Sequence, residues 1–289
     1  MQSRLDLGWP EKEERSGVDP RNKLNDLTGK EWVAFTKSWS VHNPPPRRGA
    51  ERLHPAKFPE TMIMEFIEFF TKRNEEHVVF DPFLGTGSTL VAVDICNERY
   101  GGNRRGIGIE LLPKYAEVAE SRSSGTVICA DSVTHDFSPI EPVHFVITSP
   151  PYWDVLHKDT GKLKERRESE GLDSRYSDDP ADLGNVHDYE GFQEKLVEVS
   201  RKIYDILVPG RFFVVILSDT NKREKYVRIC ADFGRKLEEE TPFILKGVKM
   251  WCQDNKRLLP YGYPYSFVPN FMHHECLIFR KERRSEHFV

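Results

Sequence analysis

The sequence predicts an α/β domain with a mostly parallel sheet, because short apolar segments alternate with longer segments of helical length. Four of the apolar segments have the composition of strands buried on both faces: VVF at 78–80, GIGI at 106–109, TVIC at 126–129 and HFVIT at 144–148. Helix-length segments follow Gly87 and Pro113. Strands that alternate with helices in this way form parallel sheets.

Two amphipathic helices and two further strands flank this alternation. The first helix is expected after Pro59, where apolar residues recur at helical spacing, namely Ile63, Phe66, Ile67 and Phe70. A longer helix fits residues 189–207, and Pro209-Gly210 is expected to end it before the strand FFVVIL at 212–217. CLIFR at 276–280 predicts the final strand.

The 289 residues suffice for one sizeable core, and we expect one elaborated domain over residues 51–289. Residues 1–50 are polar and lead into a proline-rich connection, which predicts an N-terminal extension. Residues 157–185 are highly charged with few apolar side chains, which predicts a mobile surface loop. Residues 250–274 mix aromatic residues, prolines and histidines, and are a candidate recognition loop or active-site rim.

Composition narrows the function classes. A net charge of −4 gives no global attraction to nucleic acid, so any DNA contact needs local basic patches. The five cysteines are widely spaced without a zinc-ligand pattern, so we expect reduced thiols and no metal. No run approaches the roughly 18 apolar residues of a membrane helix, and the N-terminus is too charged for a signal peptide. We therefore expect a soluble, cytoplasmic protein.

Three basic clusters are candidates for phosphate contacts: Arg47, Arg48 and Arg52; Lys158, Lys162, Lys164, Arg166 and Arg167; and Lys249, Lys256 and Arg257. The middle cluster lies in the charged loop, where a solvated surface is an equal alternative. His273 and His274 have no recognisable partners for a metal site, so we expect a structural role for both.

The segment DPFLGTGSTL at 81–90 follows a predicted strand and opens a predicted helix, which is where open α/β sheets bind ligands. Gly85 and Gly87 allow the backbone to turn tightly and to approach a bound molecule. The segment has neither the ending of a phosphate-binding P-loop nor a GxGxxG pattern. Helix N-terminal amides attract carboxylates as well as phosphates, so the turn alone does not identify its ligand. A plain strand-to-helix turn is the alternative.

Acidic residues follow the next two predicted strands. Glu110 comes about 20 residues after the glycine-rich turn, a spacing suited to accepting hydrogen bonds from ribose hydroxyls. Asp131 ends the third strand, where its carboxylate could accept a hydrogen bond from an adenine amino group. Taken singly, each acid is more often a helix cap or a solvated strand end, but three successive strand ends with such features favour a ligand site.

The segment TSPPYW at 148–153 is the most specific pattern in the chain. Consecutive prolines after a buried strand fix an extended backbone and leave carbonyl groups without a local N–H partner. The Ser149 hydroxyl and the Pro150 carbonyl would both accept hydrogen bonds from an exocyclic amine, freeing its lone pair for attack on a methyl group. Pro151 stiffens the turn, and Tyr152 would stack on a base flipped from a duplex. A proline-stiffened surface loop is the alternative.

DPFLGTG and TSPPYW together resemble the DNA amino-methyltransferase family, over about residues 50–281. The resemblance implies a Rossmann-like S-adenosylmethionine-dependent methyltransferase fold, with a mostly parallel seven-stranded sheet whose last strand is antiparallel. Six strands are predicted above, and FILKGVKM at 243–250 is expected to supply the seventh. HPAKFP at 54–59 resembles an extra cofactor element of this family, although a proline-capped helix start remains open. The cofactor site implied is His54, Lys57, Phe58, Pro59, Asp81, Pro82, Phe83, Gly85, Gly87, Ser88, Thr89, Glu110, Asp131 and Ser132.

The resemblance implies transfer of a methyl group from S-adenosyl-L-methionine to cytosine N4 in double-stranded DNA, because the serine form of the tetrapeptide is associated mainly with that target. Adenine N6, RNA amino groups and protein glutamine side chains remain alternatives, as does a nucleic-acid-binding module without catalysis. Cytosine C5 methylation is disfavoured, since it requires a cysteine nucleophile where Tyr152 stands. In this chain the cofactor loop precedes the catalytic motif. In many members of the family that carry the SPPY tetrapeptide, the catalytic motif comes first. A bacterial or archaeal setting is expected, solitary or with a cognate restriction endonuclease.

Overall fold

The computed structural model describes residues 17–44, 58–153, 179–222 and 225–282. Several predicted features fall outside these ranges, namely His54, Lys57, the basic residues between 47 and 52, and the charged loop as far as residue 178. No helix in the described part of the chain is long and apolar enough to cross a bilayer.

The described helices are α1 (Gly29–Phe35), α2 (Glu60–Phe70), α3 (Ser88–Tyr100), α4 (Pro113–Arg122), α5 (Tyr189–Ile206) and α6 (Ile229–Glu240). The strands are β1 (Trp39–Val41), β2 (Val78–Asp81), β3 (Arg105–Glu110), β4 (Thr126–Cys129), β5 (Val143–Thr148), β6 (Leu207–Leu217), β7 (Thr220–Lys222), β8 (Lys225–Val227), β9 (Phe243–Cys252) and β10 (His273–Lys281).

The main sheet of the described residues has eight strands in the order β1-β9-β10-β6-β5-β2-β3-β4. The last strand, β10, runs antiparallel to both β6 and β9, and the other neighbouring pairs are parallel. The predicted α/β class and the antiparallel last strand are therefore confirmed, and all seven predicted strands belong to this sheet.

The eighth strand, β1, was not predicted. It comes from the N-terminal 50 residues, forms one edge of the sheet and pairs in parallel with β9, with Trp39 opposite Met250. A strand of three residues, WSV, is too short to show a periodic pattern, and only pairing with β9 defines it. Residues of the predicted extension thus contribute to the sheet.

The two amphipathic helices form close to the predicted positions. In α2 the apolar stripe is buried against the sheet, so the predicted helix after Pro59 is confirmed. Pro209 and Gly210 were expected to separate the second helix from the next strand. In the structure α5 ends at Ile206 and both residues lie inside β6, which corrects this expectation. The pairing of β5 with β6 accommodates these two residues through an irregularity, because the register shifts between the Val143–Leu207 and Phe145–Phe212 pairs.

The site-forming feature of this sheet is the reversal of strand order at β2. From β2 the chain continues outward through β3 and β4 on one side, whereas β5 and β6 lie on the other side. A crevice opens at the carboxyl ends of the strands at such a reversal, and ligands of open α/β sheets bind there. The glycine-rich turn follows β2, and residues 149–152, which we call the SPPY segment, follow β5. The fold therefore brings both to this crevice.

Candidate active site

A cavity of about 510 Å³ lies at the carboxyl ends of the central strands. Ligand pockets in proteins commonly enclose roughly 300–1,000 Å³. Gly85 from the turn after β2, Glu110 from the end of β3 and Ser149 from the segment after β5 all line it. The two motifs that sequence analysis singled out therefore face one cavity.

The predicted site residues divide into two groups. The cavity is lined by Phe58, Pro82, Phe83, Gly85, Ser88, Glu110, Asp131, Ser132, Ser149, Pro151 and Tyr152. The described residues that do not line it are Pro59, Asp81, Gly87, Thr89 and Pro150.

Asp81 supports the glycine-rich turn from beneath. Its side chain is fully buried, and its carboxylate accepts hydrogen bonds from the Thr148 hydroxyl at 2.6 Å, the Thr89 hydroxyl at 2.6 Å and the Phe83 amide at 3.0 Å. Burial raises the pKa of Asp81 to about 6. The carboxylate ties the end of β2 to β5 and to the first turn of α3, so it orders the turn without lining the cavity.

Gly87 packs α3 against α4. It caps α3 with a φ of 87°, and a Cβ at this position would lie 3.0 Å from both Cα and Cβ of Ala119. Only glycine satisfies both the positive φ and this close approach. Gly87 therefore has the packing role expected of a plain strand-to-helix turn, whereas Gly85 faces the cavity.

Glu110 presents a mostly buried carboxylate at the cavity wall. One oxygen accepts from the Gly85 amide at 2.8 Å and the other accepts from the Leu112 amide at 2.9 Å. Burial raises the pKa of this carboxyl to about 7. Each carboxylate oxygen has two acceptor positions, so both retain capacity for a further donor. The arrangement suits a pair of adjacent hydroxyl groups.

Asp131 combines a turn-capping role with a place in the cavity wall. Its carboxylate accepts from the Val133 amide at 2.9 Å and from the Thr134 hydroxyl at 3.0 Å. The neighbouring Ser132 hydroxyl donates to the Pro82 carbonyl and so joins the ends of β4 and β2. The expected helix-cap behaviour of Asp131 and its position at the cavity therefore occur together.

The SPPY segment is anchored at both ends. Thr148, the last residue of β5, donates to Asp81, and the Trp153 side chain is buried against Tyr189 with ring centroids 5.0 Å apart. Between these anchors the Ser149 and Tyr152 hydroxyl oxygens are 2.9 Å apart, within hydrogen-bond distance. Trp153 has a φ of 45°, a conformation that a non-glycine residue adopts only when its surroundings hold it there.

The opposite wall of the cavity contains polar residues that sequence analysis did not assign. Trp251, Gln253 and His274 come from the ends of β9 and β10. The His274 ring stacks on Trp251, with centroids 4.4 Å apart, and lies 5.5 Å from the Tyr152 ring. His274 Nδ1 and Gln253 Oε1 are buried without a hydrogen-bond partner among the described residues. Buried polar atoms normally have a partner, so these two are hydrogen-bonding groups that the described residues leave unsatisfied.

His274 is a neutral imidazole at this wall. Burial lowers its pKa to about 3, with Lys256 and His273 acting in the same direction. The expected structural role of His274 is met by its stacking on Trp251, and its position in the cavity is an additional feature. The composition of residues 250–274 predicted a recognition loop or active-site rim in this region. The position of His274 itself depends on the antiparallel register that sets it opposite Trp251.

Comparison with known proteins relates one part of the chain to a family of methylases. The N6/N4 methylase family model, described as DNA methylase, matches residues 9–121. This match covers less than half of the chain. The matched region contains the glycine-rich turn and Glu110 and ends before Ser149.

Three methylases match this chain over short stretches. YubD of Escherichia coli (strain K12) is 42% identical over 71 residues, which is 25% of this chain and 28% of YubD. The orphan methyltransferase M.BamHII of Bacillus amyloliquefaciens is 29% identical over 102 residues, 34% of this chain and 36% of that protein. The type II beta methyltransferase M.BslI of Bacillus sp. (strain NEB-606) is 36% identical over 70 residues, 24% of this chain and 7% of that protein. The matches thus span about a third or less of each relative.

Solved structures resemble the chain only distantly. TrmN from Thermus thermophilus aligns with a TM-score of 0.44 at 13% identity, over 77% of this chain and 48% of TrmN. A methyltransferase from Pyrococcus furiosus gives a TM-score of 0.44 at 13% identity, over 80% of this chain and 87% of that protein. The fold assignment therefore rests on the strand order and directions given above.

Proposed function

We propose that this protein transfers a methyl group from S-adenosyl-L-methionine to the exocyclic N4 of cytosine in double-stranded DNA, after the base has been flipped from the helix. The observation that carries the proposal is that Glu110 and Ser149 line the same cavity. A cofactor held at the first and an amine held at the second would meet inside it. Transfer needs such a meeting, because an in-line attack requires the reacting atoms in near contact.

The cofactor side of the cavity fits an adenosine with a charged amino-acid tail. When bound, S-adenosylmethionine supplies an electrophilic methyl group on a sulfonium ion. Glu110 would accept the ribose hydroxyls with its free acceptor positions, and Asp131 would accept the adenine amino group. The backbone at Gly85 allows close approach of the tail. Further residues proposed to hold the cofactor are His54, Lys57, Phe58, Pro82, Phe83, Ser88 and Ser132, with Pro59, Asp81, Gly87 and Thr89 supporting them.

The Ser149 and Tyr152 hydroxyls suggest how the amine is activated. If the Ser149 hydroxyl donates to Tyr152, at the observed 2.9 Å, both lone pairs of its oxygen remain for the substrate. Ser149 would then accept one N–H group of the amine. The Pro150 carbonyl is proposed as the acceptor of the other, although Pro150 does not line the cavity in the structure. Two such hydrogen bonds draw the nitrogen toward tetrahedral geometry and free its lone pair. The contribution of the protein is positioning and electrostatics, without a covalent intermediate.

Residues 51–289 are proposed as the catalytic domain, with residues 1–50 supplying β1 at its edge. Tyr152 would stack on the flipped base, and Pro151 would hold its direction. The proposed setting is the cytoplasm of a bacterium or archaeon, either in a restriction-modification system with a cognate endonuclease or as a solitary methylase. The similarity of residues 9–121 to a DNA methylase family model supports the DNA substrate.

The test is transfer of tritiated methyl groups from labelled cofactor to unmodified DNA, followed by digestion and chromatography of the nucleosides. We expect label in N4-methylcytosine. Label in N6-methyladenine would contradict the choice of target atom. Label in transfer RNA but not in DNA, offered in competition, would contradict the substrate class. A parallel reaction with Ser149→Ala separates this activity from a contaminating methylase.

A further inference from the structure

The connection between β9 and β10 exposes an unusual set of large apolar side chains. The exposed fractions are 66% for Leu258, 52% for Tyr261, 80% for Tyr263, 93% for Tyr265 and 89% for Phe267. We call residues 258–267 the aromatic arm. Single exposed apolar residues are ordinary, but a contiguous group of this size marks an interaction surface.

The aromatic arm is held in shape by its own hydrogen bonds. The Asn270 side chain accepts from the Leu259 amide and donates to the Leu259 carbonyl, both at 2.9 Å. The Tyr265 and Ser266 amides both donate to the Gly262 carbonyl at 2.7 Å. Gly262 has a φ of 75°, and a Cβ there would lie 2.3 Å from the Ser266 carbonyl oxygen. The rings are therefore presented by an ordered turn, which reduces the entropy lost when they bind.

The aromatic arm is continuous with the candidate active site. Asn255 and Lys256, just before it, and His274, just after it, all line the active-site cavity. A substrate larger than the cavity, with its reacting group inside, would therefore contact the chain on either side of the arm. The occupant of this surface should be the remainder of the substrate.

Charge identifies the chemistry of that occupant. Between residues 255 and 272 the sequence contains Lys256 and Arg257 and no acidic residue, whereas the whole chain has a net charge of −4. A basic segment with outward-facing aromatic rings suits a polyanion that offers flat apolar faces. Nucleic acid has both properties, because phosphates contact the cations and bases stack on the rings.

We propose that Tyr263, Tyr265 and Phe267 stack on bases of the duplex beside the flipped nucleotide and fill the gap it leaves. The proposal rests on the proposed function, since it assigns the arm to the DNA around the reacting base. Extruding a base leaves its neighbours unstacked, and inserted apolar side chains recover part of that loss. The arm would thus stabilise the opened duplex, while the SPPY segment holds the extruded base.

The test compares full-length wild-type protein with a triple variant, Tyr263→Ser, Tyr265→Ser and Phe267→Ser. Val33→Ser is the matched control, because Val33 is 71% exposed on α1 and lies outside both the arm and the cavity. A ring-preserving variant, Tyr263→Phe with Tyr265→Phe, separates the rings from their hydroxyls. Each protein is titrated with fluorescent duplexes of randomised sequence at several salt concentrations, and cofactor binding is measured by calorimetry.

We expect the triple variant to bind duplex DNA at least tenfold more weakly, because each base that stacks on an aromatic ring contributes to the affinity. The ring-preserving and Val33→Ser variants should bind like the wild type. The slope of affinity against salt should be unchanged, because the phosphate contacts remain. Cofactor affinity should also be unchanged.

Wild-type DNA affinity in the triple variant would overturn the assignment. So would a wild-type dimer that becomes a monomer in the triple variant without loss of DNA binding, since the arm would then join two copies. The two proposals fail separately. If the wild type methylates DNA and the triple variant is equally active and binds equally well, only the arm assignment fails. If DNA binding depends on the rings but no methyl group is transferred, only the proposed function fails.

Discussion

The two walls of the active-site cavity differ in how far the protein satisfies its own polar groups. On the wall formed by β2, β3 and β4, the Glu110 carboxylate accepts hydrogen bonds from two backbone amides. Beneath this wall, the Asp81 carboxylate accepts three hydrogen bonds from the chain. On the wall formed by β9 and β10, His274 Nδ1 and Gln253 Oε1 have no partner among the described residues, and the aromatic arm beyond them is exposed.

This difference indicates a division of labour. The β2–β4 wall is ordered before any ligand arrives, as preorganised binding of a cofactor requires. The β9–β10 wall has unmet hydrogen-bonding capacity and exposed rings, which a substrate would satisfy. Substitutions on the first wall should therefore change folding and cofactor affinity together, whereas substitutions on the second wall and at the SPPY segment should affect only the substrate.

The largest effect is expected from Ser149→Ala. Loss of an acceptor that acts on the amine in the transition state should lower the rate of methyl transfer on the order of 10²–10³-fold, by analogy with removal of one positioned hydrogen-bonding group. Cofactor affinity, measured by calorimetry, should stay at the wild-type value. Ser138→Ala, at an exposed serine whose hydroxyl bonds only Asp136 in the described structure, is the control. A parallel loss of cofactor binding would contradict the division between the walls.

Asp81→Ala should lower the free energy of unfolding by about 3 kcal/mol, because two hydroxyl groups and one amide would be left buried without their acceptor. Cofactor affinity should fall with it, since the turn loses its support. Urea unfolding and calorimetry measure the two effects. Asp136→Ala removes an exposed carboxylate bonded to Ser138 and should change neither. Unchanged cofactor affinity in the Asp81 variant would show that the cofactor does not bind at this turn.

Tyr152→Ala should weaken binding of the flipped base by about 1–3 kcal/mol through loss of stacking. Tyr152→Phe should keep that affinity while slowing methyl transfer, because the ring remains and the hydroxyl partner of Ser149 is gone. DNA titration and single-turnover transfer separate the two effects. Neither variant should change cofactor affinity, and a collapse of cofactor binding would show that Tyr152 belongs to the other wall.

The smallest effect expected is a pH dependence of cofactor affinity. The folded pKa of Glu110 is raised to about 7, so the carboxyl is largely protonated at pH 6 and ionised at pH 8. The ionised form accepts ribose hydroxyls better, so affinity should rise several-fold over this window. Calorimetry at a series of pH values measures it, and Glu110→Gln should remove the dependence. The same profile in the variant would assign the titration to another group.

Folding stability without cofactor should show the opposite trend. A raised carboxyl pKa means that the folded state holds the proton more tightly than the unfolded state, whose value is near 4.5. This contribution is complete below pH 4.5 and is lost as the pH rises through about 7. The stability difference between Glu110→Gln and the wild type should therefore shift in favour of the variant over that range, as thermal unfolding would measure.

The sequence predicted those parts of the molecule that depend on local pattern. Alternating buried strands and helices predicted the sheet, and Gly85, Glu110 and Ser149 were recognisable because each lies at or soon after the end of a strand. The short strand β1 was missed because only its pairing with β9 defines it. Asp81 was expected at the cofactor, yet a motif does not distinguish a carboxylate in a cavity wall from one buried beneath it. For the far wall, the sequence predicted only a recognition loop or active-site rim over residues 250–274. It did not single out His274 as a wall residue, because the register of β9 and β10 places it there.

The central claim is that the ends of β3 and β5 serve one reaction centre. A crystal structure of the protein with S-adenosylhomocysteine tests it most directly. The account predicts the ribose hydroxyls at the Glu110 carboxylate and the sulfur directed toward the Ser149 hydroxyl, with room between them for a methyl group. Ribose density away from Glu110, or a sulfur atom facing away from Ser149, would contradict it.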